Sequence, residues 1–171
     1  MSAPSGDAAQ VSVFVAVSPV DAFEVFTEEI DLWWGQGPRF RIGTHRPGRL
    51  TIVGGPNGRL FESFETKSGV ARTFEVGRVL TWEPPSKLVL EWRNVNFKPH
   101  EKTLVEVGFA PMGDGTLVTV RHSGWSSLPD GHPAKHGKSG PELSRMIGLF
   151  WGELMSSLRE RVATTRSRPQ G

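Results

Sequence analysis

The chain has 171 residues, 37% of them hydrophobic and 22% charged, which suits one ordinary globular domain and argues against disorder. It has no cysteine, hence no disulfide framework, thiol nucleophile or thiolate metal site, and no apolar run long enough to span a membrane. Twenty Lys and Arg against 18 Asp and Glu leave a net charge of +2, and the pI of 9.3 follows from the lack of tyrosine and cysteine to titrate below lysine, so it does not mark a nucleic-acid binder.

Residues 1–10 and 163–171 are small and polar, the second stretch with added arginine, and read as disordered tails around a single domain over 11–162. The first predicted strand, 11–17, carries valine at every odd position. Ser18-Pro19 then opens a helix: serine caps, proline suits the first turn, and Ala22, Phe23, Phe26 and Ile30 follow at helical spacing. Leu32-Trp33-Trp34-Gly35 forms a short second turn or helix. From 47 to 125 the pattern is that of antiparallel strands parted by turn signals at 54–58, 67–69, 83–86 and 112–115. Leu88, Leu90 and Trp92 alternate with polar or outward positions, as do Val105, Val107 and Phe109, and Val118, Val120 and His122. Such alternation marks a sheet with one buried and one wet face. After a loop rich in Gly, Pro, Ser and His over 126–141 comes a long helix, 141–162, with one broad apolar stripe from Leu143 to Val162. That stripe needs a concave apolar surface, which a curved sheet supplies, so the order is α+β.

These elements and residues resemble the helix-grip fold of the START/Bet v 1-like (SRPBCC) superfamily, and within it the AHSA1-type (Hsp90 ATPase activator homologue) branch. The most telling segment is 77–92, with Trp82-Glu83-Pro84-Pro85-Ser86 between two strands. The stretches 17–26, 58–62 and 118–125 agree. The resemblance implies a curved antiparallel sheet of about six or seven strands wrapped around the C-terminal helix, two short helices after the first strand, and a cavity between sheet and helix used for an apolar or aromatic small molecule. Trp33-Trp34 and the 122–125 stretch are also similar to bacterial self-resistance proteins that capture enediyne toxins in this fold.

Six tryptophans without a tyrosine is a skewed usage, and indoles offer flat apolar faces with one donor each, suited to stacking on an aromatic ligand. Any one of them is more simply a core residue. Trp33 and Trp34 are adjacent, so both cannot face one core, and one is expected at an opening. His122 shares the buried parity of Val118 and Val120; it is either a ligand contact or acid/base, or a hydrogen-bonded structural histidine. Arg78 shares the parity of Val76 and Leu80, so it either enters the cavity or is turned out by a bulge. The cavity candidates are Trp33, Trp34, Arg78, Trp82, Trp92, Phe109, His122, Trp125, Ile147, Phe150, Trp151 and Leu154. Phe150 and Trp151 are placed over the cavity, with Gly148 and Gly152 leaving room along the helix.

Other motifs carry little. Asp130, His132 and His136 are only loosely spaced like metal ligands, and no metal site is expected. The glycine-rich stretch 54–58 lacks a following Lys-Ser/Thr and helix, so it is a turn and not a phosphate loop. No serine stands in a Gly-x-Ser-x-Gly setting. The leading function is therefore non-enzymatic binding of a hydrophobic or aromatic small molecule, in a cytoplasmic protein without cofactor, nucleic-acid or membrane partner. Assembly as a homodimer is compatible with the sequence. The alternatives are Hsp90-type chaperone regulation, a cyclase/aromatase-like enzyme using His122, and toxin sequestration. The Hsp90 activator pairs this domain with a separate N-terminal one for which the chain has no room, so Hsp90 is not expected as a partner.

Overall fold

A computed structural model of the chain describes residues 6–43 and 48–167. The expected tail segments 1–5 and 168–171 lie outside the described residues. In chain order the elements are β1 (Ala9–Val15), α1 (Pro19–Glu28), α2 (Ile30–Trp33), β2 (Arg49–Val53), β3 (Arg59–Glu65), β4 (Ala71–Glu83), β5 (Lys87–Trp92), β6 (Thr103–Met112), β7 (Gly115–Ser123) and α3 (Gly140–Ser167). Strands β2 to β7 follow one another as antiparallel neighbours, and β1 closes the far side against β7, giving the order β1-β7-β6-β5-β4-β3-β2. This is the curved sheet and long C-terminal helix of the helix-grip fold.

Local chemistry accounts for the elements. Ser18 caps α1 by accepting the Asp21 N–H at 3.2 Å, and Pro19 fills the first helical position, where no N–H is missed. The inward faces of β5, β6 and β7 carry the alternating residues read from the sequence, ending at Trp92, Phe109 and His122. Leu143, Ile147, Trp151, Leu154, Leu158 and Val162 form the buried stripe of α3 against that face.

Both ends of the domain reach further than the sequence pattern implies. β1 begins at Ala9, whose pairing with His122 extends the ladder past the valine run. α3 continues through 163–167, where no Gly or Pro breaks the helix and Thr164 and Thr165 satisfy their hydroxyls on carbonyls one turn back. The C-terminal part of α3 is tied to the junction of α1 and α2 by Arg161, which pairs with Glu29 at 2.7 Å.

Two bulges in β4 correct the parity argument for Arg78. Leu60 pairs with Gly77 but Phe61 with Glu75, so Val76 is an extra residue in that ladder. On the other side Val79 pairs with Leu90 and Thr81 with Val89, which leaves Leu80 extra. Each extra residue exchanges the faces that follow it. Gly77 and Val79 therefore turn inward, while Arg78 and Leu80 turn to solvent.

Candidate functional site

A cavity of about 550 Å³ lies between the first third of α3 and the end of the sheet where β5 stops. Its wall combines Ile147 and Phe150 of α3, Trp92 at the end of β5, Trp34 and Phe40 from the segment after α2, and Trp125 from the helical turn Trp125–Ser127. Exposed residues including Pro38, Arg39, Val95 and His136 border it.

The indoles interlock. Trp34 sits 6.0 Å from Trp92 and 5.7 Å from Trp151 between ring centroids, and Trp151 lies 5.6 Å from Trp92. Edge and tilted geometries of this kind are the favoured ones for aromatic pairs. Phe40 stacks on Phe150 at 5.2 Å, and outside that stack Arg39 pairs with Glu153 at 2.6 Å. Together these contacts tie the segment after α2 to α3.

The segment is held from beneath as well. Glu62, only 1% exposed, accepts the N–H groups of Ile42 at 2.9 Å and Gly43 at 2.6 Å. Arg41 is buried and binds Asp31 Oδ1 at 2.7 Å and the Gly35 carbonyl at 3.0 Å. Burial pushes the Asp31 carboxyl upward, yet the Leu50 N–H and the Arg41 guanidinium outweigh it and hold the group below the usual carboxylate range. The charged groups that line the cavity near its floor are thus already engaged.

His122 is the clearest case of a group the sequence left open. Trp151 Nε1–H donates to His122 Nδ1 at 3.0 Å, which places the ring proton of the neutral imidazole on Nε2. That proton is given to Thr103 Oγ1 at 2.7 Å, and the Thr103 hydroxyl donates to the Trp92 carbonyl. Burial lowers the His122 pKa to about 3. The ring reaches the cavity wall, but neither nitrogen is free to take a substrate proton.

Residues 16–162 match the family described as Activator of Hsp90 ATPase homolog 1-like protein. The chain belongs to that family. Solved structures similar to this AHSA1-like chain include a protein from Nitrosomonas europaea, at 14% identity and a TM-score of 0.62 over 94% of this chain and 96% of that one. A Hsp90 activator from Plasmodium falciparum matches at 14% identity and a TM-score of 0.60, covering 92% and 96%. A putative protein in the dynemicin biosynthetic locus matches at 20% identity and 0.54, covering 93% of this chain and 48% of that one. At these identities the likeness is one of fold. No curated protein matches the chain in sequence.

Within the AHSA1-like fold, the structure brings Trp34, Trp92, His122, Trp125, Ile147 and Phe150 together at the cavity and leaves six candidates elsewhere. Trp33 is buried against α1, donating to the Val25 and Phe26 carbonyls, and its ring lies 5.4 Å from that of Trp34. Contrary to the expectation from adjacency, both indoles are buried in one core, because Trp34 leaves the helix with extended backbone. Trp82 and Phe109 both pack on Phe23, several residues along the sheet from the cavity. Leu154 lies in solid core one turn beyond Phe150, and Trp151 stands behind the wall instead of on it. Arg78 faces solvent beside Glu75. Gly148 and Gly152 lie on a shallow outer groove of α3 with Leu149, away from the cavity.

Several wall residues escaped the sequence reading. Phe40 and Arg41 stand in a loop without periodicity, so nothing local marks them. Glu62 did carry a signal, since it shares the buried parity of Leu60 in β3. His132 forms no metal cluster: its Nε2 meets Glu101 at 2.8 Å and its Nδ1 accepts the Ala134 N–H. Among the described residues no three His, Asp or Glu side chains gather as a metal site, and no helix is long and apolar enough to cross a membrane.

Proposed function

We propose that this AHSA1-like protein binds a hydrophobic, aromatic small molecule in the cavity under α3 and does so without catalysing a reaction. The observation that carries the reading is a cavity of about 550 Å³ walled by Trp34, Trp92 and Trp125 with Phe40 and Phe150. Ligand pockets commonly span about 300–1,000 Å³ with apolar and aromatic walls and few polar groups. At its floor Arg41 pairs with Asp31 and the Glu62 carboxylate accepts the Ile42 and Gly43 N–H groups, so these polar groups are hydrogen-bonded within the protein before any guest arrives. His122, the one candidate acid/base, is engaged through both nitrogens, which favours binding over a cyclase-like reaction. Sequestration of a toxic aromatic product is a narrower form of the same reading.

The test is native mass spectrometry of protein purified from its own host, alongside titration with an anilinonaphthalene probe. A retained small molecule, or saturable probe binding lost on Phe150→Trp as that ring fills the cavity, supports the proposal. A parent protein that carries nothing and binds no apolar probe refutes it.

A further inference from the structure

The border of the cavity is not uniform in charge. The segment that follows β5 brings Arg93, Asn94 and Asn96 to it, and the loop before α3 brings His136. Phe97 packs on His132 at 5.3 Å between ring centroids, and Glu101 meets the same imidazole at 2.8 Å, so the two segments lie side by side. Asn94 has a fixed orientation. Its Oδ1 accepts the Trp92 Nε1–H at 2.8 Å, which leaves both N–H bonds of Nδ2 without a partner among the described residues. Nδ2 is not sealed in the interior, and its residue stands on the cavity border. Arg93 gives one N–H to the Pro99 carbonyl at 2.6 Å and forms no ion pair among the described residues. Arg39 and Arg41 differ, because Glu153 and Asp31 match their charges. His136 is exposed at the end of the helical turn Pro133–Lys135. Glu62 is the one carboxylate among the described border residues, and its oxygens accept the Ile42 and Gly43 N–H groups. This edge of the cavity therefore favours negative charge.

We infer that the ligand is an aromatic anion, such as an aromatic carboxylate, whose rings enter between the indoles while its charged group stays at the border against Arg93, Asn94 Nδ2 and His136. The inference rests on the cavity reading above and adds a charge, and its place, to it. An anion carried to the apolar end would lose its hydration without recompense, whereas at the border it keeps water on one side and gains charge-assisted hydrogen bonds on the other. An aromatic cation would meet the Arg93 guanidinium unshielded.

The experiment uses two probes of nearly one shape, naphthoate and naphthamide, which share rings and a carbonyl and differ in charge. Calorimetric titration of the full chain near neutral pH and at low salt is expected to give naphthoate about tenfold higher affinity. That preference should shrink at high salt, with naphthamide unchanged. Arg93→Gln should reduce the preference to about twofold. Asn94→Asp keeps an acceptor for the Trp92 N–H but puts a carboxylate where Nδ2 stood, and should reverse the preference in favour of the amide. Equal affinities of the two probes in the parent, or a preference that survives both substitutions undiminished, overturn the inference and leave the cavity reading standing. If neither naphthyl probe nor the anilinonaphthalene probe binds, the cavity reading falls and the inference with it.

Discussion

Adjacent aromatic residues on α3 offer a sharp test of where core ends and cavity begins. Trp151 is 2% exposed, surrounded by Trp34, Trp92, His122 and Phe150, and hydrogen-bonded to His122. An aromatic side chain buries about 150–250 Å², and at about 25 cal/mol per Å² that is about 4–6 kcal/mol of transfer free energy. Measured truncations of core aromatics to alanine cost about 3–5 kcal/mol. The lost hydrogen bond to His122 adds about 1 kcal/mol. Trp151→Ala should therefore lose about 4–6 kcal/mol, a large part of the roughly 5–15 kcal/mol a domain possesses. Phe150 is only partly buried, touching Phe40 on one side and the cavity on another. With contacts on fewer sides, Phe150→Ala should cost about 1–2 kcal/mol while changing the affinity for an apolar probe. Urea denaturation gives the stabilities and fluorescence titration the probe affinity. A loss below about 2 kcal/mol for Trp151→Ala, or an equal loss for the two variants, would refute this division of the helix.

The His122 network predicts a pH dependence. The unfolded chain binds a proton at this residue below about pH 6.5, whereas burial holds the folded pKa at about 3, so its contribution is complete above the first value and fades on acidification. Between pH 6.5 and 5 the parent should lose about 2 kcal/mol more than His122→Gln in urea titrations; identical losses would contradict the assignment. Thr103→Val removes the acceptor of the His122 Nε2 proton while keeping the side-chain shape, and should cost about 1–3 kcal/mol by the same assay. Arg39→Ala breaks an ion pair whose side chains are 50% and 53% exposed, so stability should change by less than about 1 kcal/mol, with any difference vanishing at high salt. A larger loss would mean that the segment after α2 is held chiefly by that pair and not by Phe40, Arg41 and Glu62.

The fold was readable because its signals are periodic and redundant. Three neighbouring strands repeat the same alternation, turn residues separate them, and the stripe on α3 has no other surface to cover. β4 is where this logic fails. Its pattern counts residues, and two extra ones, Val76 and Leu80, each reverse the faces downstream. Gly77 beside the first bulge is the one local sign of it and the second has none, so Arg78 reads inward by counting and stands outward in space. The site is less legible than the fold for a related reason. Its wall draws on α2's exit, the end of β5, a helical turn and the start of α3, which only tertiary packing brings together.

Composition also could not say which tryptophans are core and which are wall, since an indole serves both. What separates them in the structure is position along the sheet. Trp82 and Phe109 share their inward face with Trp92 and His122, but lie toward the end covered by α1, where Phe23 and Phe26 fill the space. At the other end α3 is joined over the sheet not by a second helix but by a segment pinned by Glu62 and Arg41. A helix brings a continuous row of side chains to pack a core solid, whereas an arched segment anchored at its backbone offers Phe40 and Trp34 and leaves volume between them. The cavity is thus a consequence of how that end of the sheet is covered. The hydrogen bonds of Trp34, Trp92, Trp151 and His122 fix its wall in place.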